Sequence, residues 1–112
     1  MTTQDEQLHS ANAQLIIQTD IPLWNFLVQG IKKTHRVSRV QAFADLIDRQ
    51  RIALLKGEDE KLTGTIQDMA RTWGWDRDTV VRFLDSLEQL GVITIDTTGY
   101  RKTFMLKYII RK

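Results

Sequence analysis

Cysteine is absent from this 112-residue chain, which excludes disulfides, thiolate metal ligands and thiol nucleophiles together. The absence is compatible with a reducing cytoplasm, the expected location. Histidine is nearly absent too: His9 and His35 stand far apart, and neither has a carboxylate pair at metal-ligand spacing. Glu58, Asp59 and Glu60 are consecutive, without the alternation of a calcium loop. The glycines Gly57, Gly64 and Gly74 are isolated, so no glycine-rich phosphate cradle exists. Ser10, Ser38 and Ser86 lack any partner pattern for nucleophilic catalysis. No enzyme activity, cofactor or metal is therefore expected. Long apolar runs are missing as well. The charge-free stretch from Ile21 to Ile31 is far too short to span a bilayer. Met1 leads into polar residues with no basic and then apolar segment, which argues against secretion.

An excess of charge is also lacking, with 16 Lys and Arg against 14 Asp and Glu and a net charge of +2. Such a total argues only weakly for a polyanionic partner, and the distribution is more informative. Asp5, Glu6 and Asp20 stand in the first 31 residues with no Lys or Arg. Lys32, Lys33, Arg36 and Arg39 then follow with no acid among them, and Arg101, Lys102, Lys107, Arg111 and Lys112 crowd the last twelve positions. Local basic patches can meet phosphate while the sum stays near zero.

The length allows one core. Residues 1–12 are expected to form a flexible polar tail and residues 13–112 a single domain. Leu15, Ile16 and Ile17 suit a short strand. Asp20 and Pro22 open a short helix near 22–29, and Ser38 with Gln41 has capping-box spacing before an apolar stripe over about 39–51, with Arg51 to Leu55 extending it or turning into a strand. Leu62 and Thr63 suit a short strand. Thr65 and Asp68 form a second capping box before a helix to about 73. Trp73-Gly74-Trp75-Asp76 breaks that helix and supplies the cap of the next, over 77–89. Gly91 stops it, and Ile93, Ile95, Phe104, Leu106 and Tyr108 predict a hairpin over about 92–97 and 102–109. A two-residue loop at Thr98-Gly99 pairs Ile93 with Phe104 and Ile95 with Lys102. The predicted core comprises Trp24, Phe43, Leu46, Ile47, Ile66, Met69, Trp75, Val80, Leu84, Leu87, Ile93, Phe104 and Leu106. Helix, tight turn, helix and hairpin make this an α+β protein of the winged helix-turn-helix order, with a three-helix core and a C-terminal wing.

In such a fold the second helix of the pair faces the major groove. Its solvent positions, after the core is subtracted, are Arg77, Asp78, Val81, Arg82, Asp85, Ser86 and Gln89. Arg77 and Arg82 can donate to guanine edges or phosphates, and Gln89 to a phosphate or base. Asp78 and Asp85 oppose phosphate, and an ordinary charge-laced helix surface is the alternative. On the wing, Tyr100, Arg101 and Lys102 suit backbone or minor-groove contact, although a hairpin tip is polar in any case and Lys blunts edge pairing. Lys32, Lys33 and Arg36 form a third basic patch, which a solvated loop also explains. Of the tryptophans, Trp75 suits the angle between two helices better than base stacking.

The stretch from Leu62 to Ile93 resembles the winged-helix domain of phage and mobile-element replication proteins, the replisome-organiser and DnaD-like group. The resemblance rests on Thr63, Met69-Ala70, Trp73-Gly74-Trp75, Asp76, Val80, Phe83-Leu84, Leu87-Glu88 and Gly91-Val92-Ile93, with Pro22, Trp24, Ala42, Phe43 and Leu46 upstream. It implies double-stranded DNA binding near an origin, with recognition contacts on Arg77, Asp78, Val81 and Arg82, and replication proteins as partners. Transcriptional regulation shares much of the same pattern. A protein-interaction or homodimerisation module is the competing expectation, since a winged fold does not dictate function.

Overall fold

The structure, a computed structural model, describes residues 14–29, 37–57, 61–98 and 101–111. The expected tail, residues 1–12, lies outside them. Within them, strand β1 (Gln14–Ile17) precedes helices α1 (Ile21–Val28), α2 (Arg39–Lys56), α3 (Ile66–Trp73) and α4 (Arg77–Gln89). Strands β2 (Ile93–Thr98), β3 (Arg101–Leu106) and β4 (Tyr108–Arg111) follow. The helices pack beside two antiparallel ribbons, β2 with β3 and β1 with β4. The protein is thus a small α+β domain of winged-helix-like element order.

Side-chain caps set the helix starts. The Asp20 carboxylate accepts from the Leu23 amide at 3.1 Å, with Pro22 in the first turn. Ser38 and Gln41 close a reciprocal capping box at 3.1 and 2.9 Å, and Thr65 and Asp68 another at 3.1 and 3.2 Å. Asp76 accepts from the Thr79 amide at 2.7 Å. Each cap satisfies a backbone donor that the helix itself leaves unpaired. α2 continues to Lys56 instead of stopping near 51, because Gln50, Ala53 and Leu54 carry its buried face onward.

The core joins α1 through α4 to the β2–β3 ribbon. Of the predicted members, Phe43, Leu46, Met69, Val80, Leu84, Leu87, Ile93, Phe104 and Leu106 are buried. Ile47, Ile66 and Trp75 are partly buried against them. Trp24 is a correction, being 39% exposed. Leu23 and Leu27, one helical turn apart, take the inward face of α1, which turns Trp24 to the flank. There its ring meets Phe43 edge-on at 6.1 Å. The tryptophan filling the core is Trp73, at 1% exposure.

The hairpin also departs from expectation. Thr98 pairs with Arg101, Ile95 with Phe104 and Ile93 with Leu106. The register is therefore two residues from the expected one, which keeps every side chain on its expected face because the strand repeat is also two. It pairs Lys102 with Thr97, nearer the hairpin tip, and replaces a lysine beside Ile95 with phenylalanine. The expected second arm over 102–109 breaks at Lys107, and its remainder, β4, pairs with β1 instead. Leu62 and Thr63 form no strand, yet the Leu62 amide donates to the Phe104 carbonyl at 2.9 Å.

Leu84 lies at 1% exposure between the helices. Replacing it with alanine should destabilise the domain by about 2–5 kcal/mol, the range for a core leucine that leaves a cavity. A urea midpoint equal to that of the parent would show that the leucine is not packed there.

Candidate nucleic-acid interface

The exposed face of α4 is oriented by the turn before it. α3 ends at Gly74, whose φ of 69° is a left-handed conformation that costs a residue with a side chain about 1–2 kcal/mol. The Trp75 amide then folds back on the Ala70 carbonyl at 3.0 Å. Trp73 and Trp75 meet edge-to-face at 5.0 Å, and Phe83 of α4 stands edge-on to both, at 5.8 and 5.2 Å. Phe26 of α1 stacks on Phe83 at 5.8 Å. Offset and edge-on rings are the favoured arrangements, so the cluster contributes orientation as well as apolar burial.

Hydrogen bonds fasten the same turn to α2 and its leading residues. The Val37 amide donates to the Trp73 carbonyl at 3.1 Å, and the Trp75 indole donates to the Val37 carbonyl at 2.8 Å. The Trp73 indole donates to Asp45 Oδ2 at 2.8 Å, and that oxygen also accepts from Arg49 Nε at 2.7 Å. Sequence reading missed Asp45 and Arg49. Their i, i+4 spacing was visible as a helical ion pair, but their link to Trp73 spans 28 residues and has no local signal.

On the solvent side of α4, Arg77, Asp78, Arg82, Asp85 and Gln89 are exposed, while Val81 and Ser86 are half-buried. Val81 therefore offers only part of its side chain at this face. Arg82 makes a long contact of 3.5 Å to the Thr79 hydroxyl. The wing cations Arg101 and Lys102 are exposed at the start of β3. Among the described residues, Arg77, Arg82, Arg101 and Lys102 form no ion pair, in contrast to Lys61, which approaches Asp96 of β2 at 3.6 Å. α4 passes into β2 through the turn at Gly91, so the helix face and the ribbon are consecutive parts of one unit.

Lys32, Lys33, Arg36 and Tyr100 lie outside the described residues. Of the basic stretch that the first three belong to, Arg39 is described and is engaged internally. Its guanidinium lies 4.2 Å from the centre of the Phe26 ring and donates to the Phe26 carbonyl at 2.8 Å. It serves the α1–α2 contact. Among the described residues no group of three or more metal-ligating side chains gathers, and no helix is long and apolar enough to cross a membrane.

Comparison with protein-family models, with curated proteins and with solved structures finds no match.

Asp45→Ala tests how the turn is held. The substitution leaves the buried Trp73 indole without its acceptor, which should cost about 1–3 kcal/mol. Urea denaturation followed by tryptophan fluorescence reads the loss. An unchanged midpoint would show that the indole is satisfied without Asp45.

Proposed function

We propose that this domain acts as a winged helix-turn-helix that binds double-stranded DNA, in replication initiation or its control in a phage or mobile element. One observation carries the proposal: exposed cations without ion-pair partners stand on both α4 and the ribbon that follows it. With α4 in the major groove, Arg77 and Arg82 donate to guanine edges or phosphates, and Gln89 reaches the backbone. Asp78 can accept from a cytosine amine. Arg101 and Lys102 neutralise phosphates from the wing, and Tyr100, which precedes them in the sequence, is a further candidate. Lys32, Lys33 and Arg36, outside the described residues, are further phosphate contacts on the sequence pattern alone. The replication context rests on the resemblance around Trp73-Gly74-Trp75, and transcriptional control is the nearest alternative use of the same chemistry.

A second function, a protein-interaction module, draws support from Asp78 and Asp85. Both are exposed on the helix that would approach phosphate, where carboxylates oppose binding and suit a basic partner surface instead.

A fluorescence-anisotropy titration with duplex DNA from the gene's own neighbourhood, at two salt concentrations, separates the two. DNA binding predicts affinity that falls steeply with salt. Combined replacement of Arg77, Arg82, Arg101 and Lys102 by alanine should weaken it and lower the salt slope by roughly one for each phosphate no longer neutralised. Absence of binding at low salt would end the proposal for the isolated domain.

A further inference from the structure

The β1–β4 ribbon makes its principal contacts within itself. Gln14 pairs with Arg111, Leu15 with Ile110, Ile16 with Ile109 and Ile17 with Tyr108. Alternation puts Leu15, Ile17, Tyr108 and Ile110 on one apolar face, and Ile16 and Ile109 on the other between Gln14 and Arg111. Only Ile17 of these packs against the core, and Ile109 is 50% exposed. A two-stranded ribbon is marginal in water unless a further strand or a packed layer supports it.

Its edges differ in charge. β2 carries Asp96, β3 carries Arg101 and Lys102, and β4 carries Arg111 with Lys107 just before it. β1 carries none. From Ser10 to Thr19 the sequence has no charge, no proline and no glycine, the devices by which monomeric proteins blunt a free strand edge. Among the described residues β1 pairs with β4 alone.

We propose that β1 is a homodimerisation edge, pairing antiparallel with β1 of a second copy across a two-fold axis. An uncharged strand meets its own copy without like-charge repulsion, and either Leu15 or Ile16 meets its own counterpart at the axis. The product is a four-stranded sheet in the order β4, β1, β1, β4, with Leu15, Ile17 and Ile110 of both copies forming one continuous apolar face. Its outer edges are then the two β4 strands, whose basic residues discourage further addition, so association closes at two copies. The main-chain hydrogen bonds of strand addition supply affinity, and the apolar side chains fix the register. This contact uses none of the residues assigned to DNA, so it stands or fails independently of DNA binding.

Sedimentation equilibrium at micromolar concentration without DNA tests it. The parent should sediment at twice the 13.0 kDa chain mass. The double variant Ile16→Lys/Ile109→Glu places opposite charges across the ribbon, where those two positions are partners. That pair holds the ribbon together while making its outer face polar. It should sediment at the single-chain mass with the far-ultraviolet circular dichroism and thermal midpoint of a folded domain. A parent that is monomeric overturns the proposal and leaves the edge to a strand from another protein. A double variant that remains dimeric also overturns it, as does a parent dimer split by Val81→Asp but not by the ribbon variant. If the double variant loses its helical spectrum, Ile16→Lys alone, read by the same two measurements, replaces it, and a folded dimer there counts against the proposal.

Discussion

A single carboxylate oxygen, Asp45 Oδ2, accepts from both the Trp73 indole and the Arg49 guanidinium, and the geometry of the helical core depends on it. Arg49 uses its remaining nitrogens on the Thr63 carbonyl at 3.0 Å and the Thr72 hydroxyl at 3.3 Å. Three segments are thereby tied through two side chains: α2, the residues that lead into α3, and α3 itself. Gly64 has a φ of 114°, which strains a residue with a side chain, and a β-carbon there would also have to displace the Arg49 guanidinium. Because the Arg49 side chain is only 15% exposed, its charge needs the carboxylate. Removing one partner leaves the other partly desolvated and uncompensated. With α3 held in this way, the Trp73-Gly74-Trp75 turn and the aromatic contacts to Phe83 set the direction in which α4 leaves.

The β2–β3 ribbon is anchored by a different use of polar groups. Gln50 is fully buried on α2, and its carboxamide oxygen accepts from the Leu106 amide at 2.8 Å. Two residues away on the same strand, the Phe104 carbonyl takes the Leu62 amide. These contacts satisfy backbone groups of β3 from outside its ribbon, and buried backbone groups are costly to leave unpaired. The Lys107 amide donates to the Val92 carbonyl at 3.0 Å, which closes the base of the ribbon before the chain turns into β4. The wing is thus covered along its inner edge by helix and loop. The β1–β4 ribbon receives no comparable cover from the described residues, which is why their edges have different consequences for association.

Legibility in the sequence followed the range of the interaction. The caps at Ser38, Thr65 and Asp76 and the span of α4 depend on residues three or four apart, and these were readable directly. Trp24, expected in the core, lies at its flank, and Trp73, not named in the expected core, fills it, because periodicity in an eight-residue helix does not settle which face a tryptophan takes. Which tryptophan turns inward depends on Leu23 and Leu27 for one and on Asp45 for the other. The hairpin shift has a comparable cause: a repeat of two cannot distinguish registers two apart, so Thr98-Gly99 and Gly99-Tyr100 are both compatible with the same buried face. Strand partnership across most of the chain, as between Leu15 and Ile110, leaves no local trace at all. At the candidate interface, the polar positions of α4 were legible by subtracting its core face. The half-burial of Val81 was not, since it depends on where neighbouring side chains lie.

The near-zero net charge fits a division of labour among surfaces better than one continuous polyanion-binding face. α4 packs against α3 and β2, whereas β1 and β4 make their principal contacts with each other. Arg77 and Arg82 stand on α4 and Arg101 and Lys102 on β3, whereas the uncharged apolar edge belongs to β1. A homodimer through that edge uses none of the α4 arginines in its strand pairing. It would bring two copies of the helix face into one particle, so modest affinity from a few cations would be multiplied by the high effective concentration of the second site. Two-fold symmetry would also demand that two DNA half-sites be related by the same axis, giving a palindromic target whose spacing reflects the distance between the α4 helices. With a net charge of only +2, a domain acting in the proposed way would gain from such an arrangement, because association would supply a second contact that its total charge does not.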